Sequence, residues 1–190
     1  MLRRTALVVL SLAVSLAAIP AAWGTTAVER TESDMIQESA LIVTGHCTNL
    51  QSQWVERTLV TLATIQVTEV LKGSPGATVT VVLPGGVDSN RRIPVAMSYP
   101  AAPQIYQQED VLLFLVPEDL VAGGYSIVGF SQGKLTLATD PQGKRVATQD
   151  LSALNLQGRN GSLRRGTAKT IQLDELRQRI RQTPAAGRER

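Results

Sequence analysis

The sequence predicts a mostly β domain: a small Greek-key, OB-like barrel with a short N-terminal helix and a C-terminal helix packed outside. Three observations predict it. β-Branched runs with period-2 alternation follow one another between turn clusters from about residue 40 to 147. No helical pattern separates the middle runs, which argues against parallel βαβ units. Two helical stretches bracket the strands, over residues 32–39 and 171–182.

The chain opens on what reads as an export signal. Leu2-Arg3-Arg4 form a positive start, Ala6 to Ile19 are apolar, Pro20 breaks the run, and Ala22-Trp23-Gly24 place small residues at −3 and −1 before Thr25. The apolar run falls short of the roughly 20 residues of a spanning helix, so cleavage is expected, with no transmembrane segment in the product. The rest of a twin-arginine motif is missing around Arg3-Arg4, and no cysteine follows the cleavage site to take a lipid. The expected location is periplasmic or extracellular. The expected organisation is a signal peptide over 1–24, a barrel domain over 25–149, a linker loop over 150–170, a helix over 171–182 and a disordered tail over 183–190.

The composition, 43% hydrophobic and 18% charged, is that of a globular protein. Cys47 is the only cysteine, so no internal disulfide staples the domain. Its place in Ile42-Val43-Thr44-Gly45-His46-Cys47 reads as a buried small hydrophobe. The net charge of +3 comes from a late excess, Arg159, Arg164, Arg165, Lys169, Arg177, Arg179, Arg181, Arg188 and Arg190. It reads as a solvated helix face with a frayed tail; the competing reading is contact with anionic lipid, polysaccharide or nucleic acid.

Taken in order, Thr25 to Arg30 form an unstructured lead, and Thr31 caps a helix with Glu32 and Asp34 in its first turn. Met35, Ile36 and Ala40 turn that helix to the core. Residues 40–50 form a strand in which Gly45 marks a bulge or a close backbone approach. Residues 59–71 form a longer strand with Thr61, Ala63, Ile65 and Val67 on one face. Lys72-Gly73-Ser74-Pro75-Gly76 turns into a strand over 78–83, which Pro84-Gly85-Gly86 ends. Residues 87–108, with Pro94, Pro100 and Pro103, form a long irregular loop of the kind that often carries function. Strands follow over 110–116 and 125–130. A hairpin then runs over 134–138 and 144–147, around Asp140-Pro141-Gln142-Gly143. Leu173, Leu176 and Ile180 give the last helix a narrow apolar stripe, and Thr183-Pro184 ends it.

Three segments carry a family resemblance: Ser39-Ala40-Leu41-Ile42-Val43-Thr44-Gly45, Ile65-Gln66-Val67-Thr68-Glu69-Val70-Leu71-Lys72-Gly73 and Gln108-Glu109-Asp110-Val111-Leu112-Leu113-Phe114-Leu115. Together, within residues 38–140, they resemble the netrin-like module, the OB-type barrel of tissue inhibitors of metalloproteinases, and also a group of uncharacterised exported bacterial proteins. The resemblance implies the barrel and an outer helix, and it suggests a protease as partner. It does not carry over the inhibitors' zinc-chelating N-terminal cysteine, because the expected mature chain starts at Thr25 and has no cysteine pair.

No catalytic or metal site and no cofactor is predicted. His46 is the only histidine, and in a regular strand it points away from its neighbour Cys47, so the two form no dyad. A zinc site needs about four clustered ligands, and Asp88, Glu109, Asp110, Glu118 and Asp119 follow no calcium-loop spacing. Glu109-Asp110 and Glu118-Asp119 read as solvated strand ends. Pro84-Gly85-Gly86-Val87 is no phosphate loop, and Asn160-Gly161-Ser162 matches a glycosylation triplet of low specificity. Export and the absence of aromatics clustered with basic residues argue against a nucleic-acid partner. Trp54, Tyr99 and Tyr106 remain as partner-binding candidates on two connections, with an alternative reading in which they cover a barrel end. The sequence thus points first to an exported, non-enzymatic binding module for another exported protein. The alternatives are an enzyme using His46 or scattered carboxylates, and an envelope-associated structural protein using the basic C-terminal segment.

Overall fold

Residue-by-residue pairing in the computed structural model, which describes residues 24–183, builds one barrel and a sheet that runs out of it. The expected signal segment before Gly24 and the expected tail beyond Thr183 lie outside the described residues. Strands β2 (Leu41–Val55), β3 (Thr58–Lys72) and β4 (Thr78–Pro84) form an antiparallel meander. Strand β7 (Asp110–Glu118) pairs with β2, and β8 (Gly124–Ile127) pairs with both β7 and β4. The ring β2-β3-β4-β8-β7 thereby closes, its last junction a short parallel pairing of Thr80 with Gly124 and Val81 with Tyr125. This is the small OB-like barrel expected.

β7 forks the sheet. Its C-terminal half pairs with β8 inside the ring, whereas Val111 to Leu113 pair with β9 (Lys134–Thr139). From β9 the sheet continues to β10 (Arg145–Asp150) and to its edge at β13 (Ala168–Gln172). Two cores result. Val43, Ala63, Ile65, Val81, Val111, Leu113 and Leu115 fill the barrel. Ile42, Leu112 and Phe114 point the other way, into a second core with Leu135 and Ala147 under helices α1 (Glu32–Glu38) and α2 (Leu173–Gln182). The unbroken apolar run of β7 follows from this: both of its faces are buried.

Local chemistry sets the helix positions. Thr31 and Asp34 form a capping box on α1: the Thr31 hydroxyl accepts from the Asp34 N–H at 3.1 Å and Asp34 accepts from the Thr31 N–H at 3.0 Å. At its other end the Lys72 ammonium donates to the Ile36 carbonyl at 2.5 Å, satisfying an orphan acceptor where the helix dipole favours a cation. Burial at this site pushes the Lys72 pKa down. Gly73 follows with φ 85°, where a Cβ would stand 2.7 Å from the Ala40 carbonyl. Leu173, Leu176 and Ile180 bury the predicted stripe of α2.

Three segments differ from the expectation. The lead over 25–30 contains β1 (Thr26–Val28), which pairs in parallel with β11 (Asn155–Gln157). The stretch read as a linker over 150–170 holds β11, β12 (Leu163–Arg165) and the start of β13, with Leu151, Leu154 and Leu156 making a small third core. The long loop contains a hairpin, β5 (Gly86–Asp88) with β6 (Val95–Met97). The new strands before β13 are three residues each, so they leave no alternation long enough to read.

Gly45 sits at a register shift between β2 and β3. A Cβ there would come within 2.4 Å of Ile65 Cγ2 and 2.6 Å of the Gln66 carbonyl, so the strands approach as closely as they do only because the residue is glycine. Gly45→Ala is expected to destabilise the fold by about 1–3 kcal/mol through overpacking. Urea denaturation measures it, and an unchanged midpoint would refute the close-approach account.

Candidate functional site

The β5–β6 hairpin is seated on the ends of β2 and β3. Ser52 Oγ accepts the Val87 N–H at 3.1 Å, and Thr61 Oγ1 donates to the Gly85 carbonyl at 2.8 Å. At Gly86 (φ 153°) a Cβ would meet Ser52 Oγ at 2.5 Å and Thr61 Oγ1 at 2.6 Å. Trp54 lies within β2, not in a connection as the sequence suggested, and is half-buried. Its indole N–H donates to Asp88 Oδ2 at 2.7 Å, and the Arg91 guanidinium stacks over its ring at 4.9 Å while donating to the same carboxylate oxygen at 2.8 Å. The Trp54 hydrogen bond, with help from Arg91, holds the Asp88 carboxyl below the usual carboxylate range. Trp54 latches the hairpin.

Past the hairpin, Tyr99 and Tyr106 are 41% and 62% exposed. They come together on one groove of about 220 Å³ at the barrel end, with Thr61, Leu83 and Met97 among its walls. Trp54 is absent from that lining. The Tyr106 N–H donates to Glu109 Oε2 at 2.8 Å and its hydroxyl to Gln104 Oε1 at 2.9 Å.

Glu109 overturns the expectation of a solvated strand end. Its side chain is 10% exposed, and its Oε1 accepts from Lys134 Nζ at 2.6 Å and from Thr136 Oγ1 at 2.6 Å. Lys134 Nζ also donates to Thr136 Oγ1 at 2.8 Å. Lys134 and Thr136 alternate on β9 with Leu135 and Leu137, which enter the second core. That places the polar pair on the face that continues the barrel interior beyond β7. Thr148, directly opposite Thr136 on β10, and Asp150 extend this floor. The cleft above it, about 640 Å³ and open to solvent, is walled by the segment 101–106 and by residues 151–154. Sequence reasoning missed this constellation, although Lys134-Leu135-Thr136-Leu137 carried an amphipathic-strand signal.

Asp110 and Glu118 are also engaged. Glu118 accepts from the Ser126 hydroxyl at 2.6 Å and the Leu120 N–H at 3.1 Å. Asp110 accepts from His46 Nδ1 at 2.8 Å and from Arg145 at 3.2 Å, and Gln108 Oε1 faces His46 Nε2 at 2.8 Å. Two oxygen acceptors on the two ring nitrogens favour the imidazolium, so Gln108 first and Asp110 second raise the His46 pKa. Cys47 points the opposite way into the barrel core, where burial pushes its thiol up. His46 and Cys47 therefore form no catalytic pair. Among the described residues no group of three or more His, Cys, Asp or Glu side chains is placed to hold a metal, and no helix is long and apolar enough to cross a membrane.

Comparison with protein-family models, curated proteins and solved structures finds no match to this chain.

Two measurements check the electrostatics. A raised His46 pKa means that its stabilisation is complete below the ordinary histidine value of about 6.5 and is lost as pH rises through the folded value. The single histidine should titrate by NMR above that ordinary value, and His46→Gln should flatten the decline in thermal midpoint over that window; an unshifted titration would refute the assignment. Lys134→Met should cost about 3 kcal/mol in urea denaturation by stranding the Glu109 carboxylate. Adding Glu109→Gln should recover part of that loss, and a single-variant cost under about 0.5 kcal/mol would mark the pair as screened by solvent.

Proposed function

We propose that the protein is an exported, non-enzymatic binding module that engages another exported protein through the 87–108 segment. One observation carries the reading: Tyr99 and Tyr106 stand exposed around one groove on a segment fixed at both ends. The Trp54–Asp88–Arg91 latch holds its start and Glu109 holds its end. Tyrosine offers large contact area at low entropic cost, and a segment already ordered loses little freedom on binding. Trp54 serves this surface from beneath, as a positioning residue.

The enzymatic alternative loses support because His46 is bound to Asp110 and Gln108 and faces away from Cys47. The envelope-anchoring alternative loses support because Arg159, Arg164, Arg177, Arg179 and Arg181 are ion-paired, which leaves Arg165 and Lys169 as the exposed unpaired cations among the described residues of that segment. The netrin-like resemblance makes an exported protease the first partner class to test.

The test is affinity capture from envelope and culture medium, followed by surface plasmon resonance on the partner recovered. Tyr106→Ala should weaken binding about 10- to 30-fold, as loss of an interface anchor does, and His46→Ala should leave it unchanged. A partner that binds the Tyr99→Ala, Tyr106→Ala double variant as tightly as the parent would overturn the assignment of the groove.

A further inference from the structure

We propose that the cleft where β9 and β10 leave the barrel binds a neutral, hydroxyl-rich saccharide of one or two units. The proposal does not rest on the partner-binding reading: the cleft shares Tyr106 and the stretch before it with the tyrosine groove, but its floor residues Thr136, Thr148 and Asp150 lie outside that groove.

The cleft's size of about 640 Å³ falls within the roughly 300–1,000 Å³ of small-molecule sites. Its polar groups are fixed before any ligand arrives. Lys134 and Glu109 neutralise each other at 2.6 Å, and Thr136 is bonded to both. Two of the three Lys134 ammonium donors are thus spent inside the protein, leaving one. Asp150 Oδ1 accepts the Ser152 N–H at 2.9 Å, the carboxylate keeps further lone pairs for acceptance, and the Thr148 hydroxyl bonds across the edge to Thr170 at 3.0 Å. The floor therefore offers a donor at Lys134 and an acceptor at Asp150. A hydroxyl, which donates one hydrogen bond and accepts two, matches such a floor.

The charge balance selects against anions. One lysine faces two carboxylates in the cleft, so a sulfate, phosphate or uronate group would meet net negative charge. The walls select for a sugar face over a lipid chain: exposed Tyr106 on one side and exposed Ala153 on the other offer short apolar surfaces beside the polar floor. An acyl chain needs an enclosed apolar channel, whereas here the open side leaves the outer hydroxyls of a sugar in water.

The probes are cellobiose, maltose and diacetylchitobiose, with a sulfated heparin disaccharide as the anionic control, added to the purified protein. Saturation-transfer NMR and calorimetry read binding. At least one neutral disaccharide is expected to bind with a Kd of about 0.1–5 mM, the weak range of a small wet site. Thr148→Val with Asp150→Asn, both at the cleft surface, should weaken it at least about tenfold with the thermal midpoint retained, and Tyr99→Ala should leave it unchanged. Retention of the protein on insoluble chitin or peptidoglycan would assign the sugar to a polymer; binding of the soluble disaccharide alone would assign a free saccharide. Three results overturn the proposal: no transfer to any neutral probe at 10 mM, equal binding by the double variant, or preference for the sulfated control.

Discussion

Everything in this structure depends on burying β7 on both faces. Val111 to Leu115 are completely inaccessible to solvent, and alternate residues belong to different cores. A strand with two apolar faces needs cover on each. The curled meander β2-β3-β4 supplies one cover, and helices α1 and α2 supply the other. Satisfying its backbone requires partners along both edges, and the strand obtains them by taking β2 on one edge and dividing the other between β9 and β8. That division closes the barrel over the C-terminal half of β7 and leaves it splayed over the N-terminal half. The cleft is the geometric remainder of the fork: a sheet face that continues the barrel interior without a barrel to fill it.

The charge pattern of the chain has a similar structural origin. Early acidic residues and late basic ones are brought together when β1 pairs with β11. Asp34 meets Arg159 at 2.7 Å, Glu32 meets Arg179 at 2.6 Å and Glu29 meets Arg164. Exposed pairs of this kind are worth about 0–1 kcal/mol each, so they do not hold the ends together. The burial of Leu151, Leu154 and Leu156 against Ala27 and Phe130 does that. The ion pairs orient the two ends and occupy Arg159, Arg164 and Arg179 of the late basic stretch.

What the sequence made legible is what obeys a local rule. The alternation of β3, the double-faced run of β7, the capping box at Thr31 and the stripe of α2 each follow from residues within one element. Gly45 announced a close approach, and the structure places Ile65 and the Gln66 carbonyl where its side chain would have been. The Lys72-Gly73 pair has its physical explanation in the helix end it caps and the Ala40 carbonyl it skirts. The missed features depend on distant partners. β12 is exposed along its length, so nothing in Leu163-Arg164-Arg165 announces a strand until β11 lies beside it. Glu109 reads as a solvated strand end because the lysine that neutralises it stands 25 residues later. Trp54 stands out in the sequence as an aromatic in a polar stretch, but its partner Asp88 lies 34 residues on, and that contact decides whether an aromatic is an anchor or a latch.

The segment from Gln104 to Glu109 joins the groove to the cleft. Tyr106 borders both the groove and the cleft, and its backbone N–H is held by the same carboxylate that pairs with Lys134. One oxygen of Glu109 faces the loop and the other faces the sheet. A carboxylate used in this way needs a cation on one side and a fixed N–H on the other, and it needs both to be shielded from water. The fork in β7 supplies those conditions by ending the barrel wall just where Glu109 precedes the strand. The position of the exposed tyrosines is therefore set by the same constraint that opens the cleft: the two-sided burial of the strand that begins one residue later.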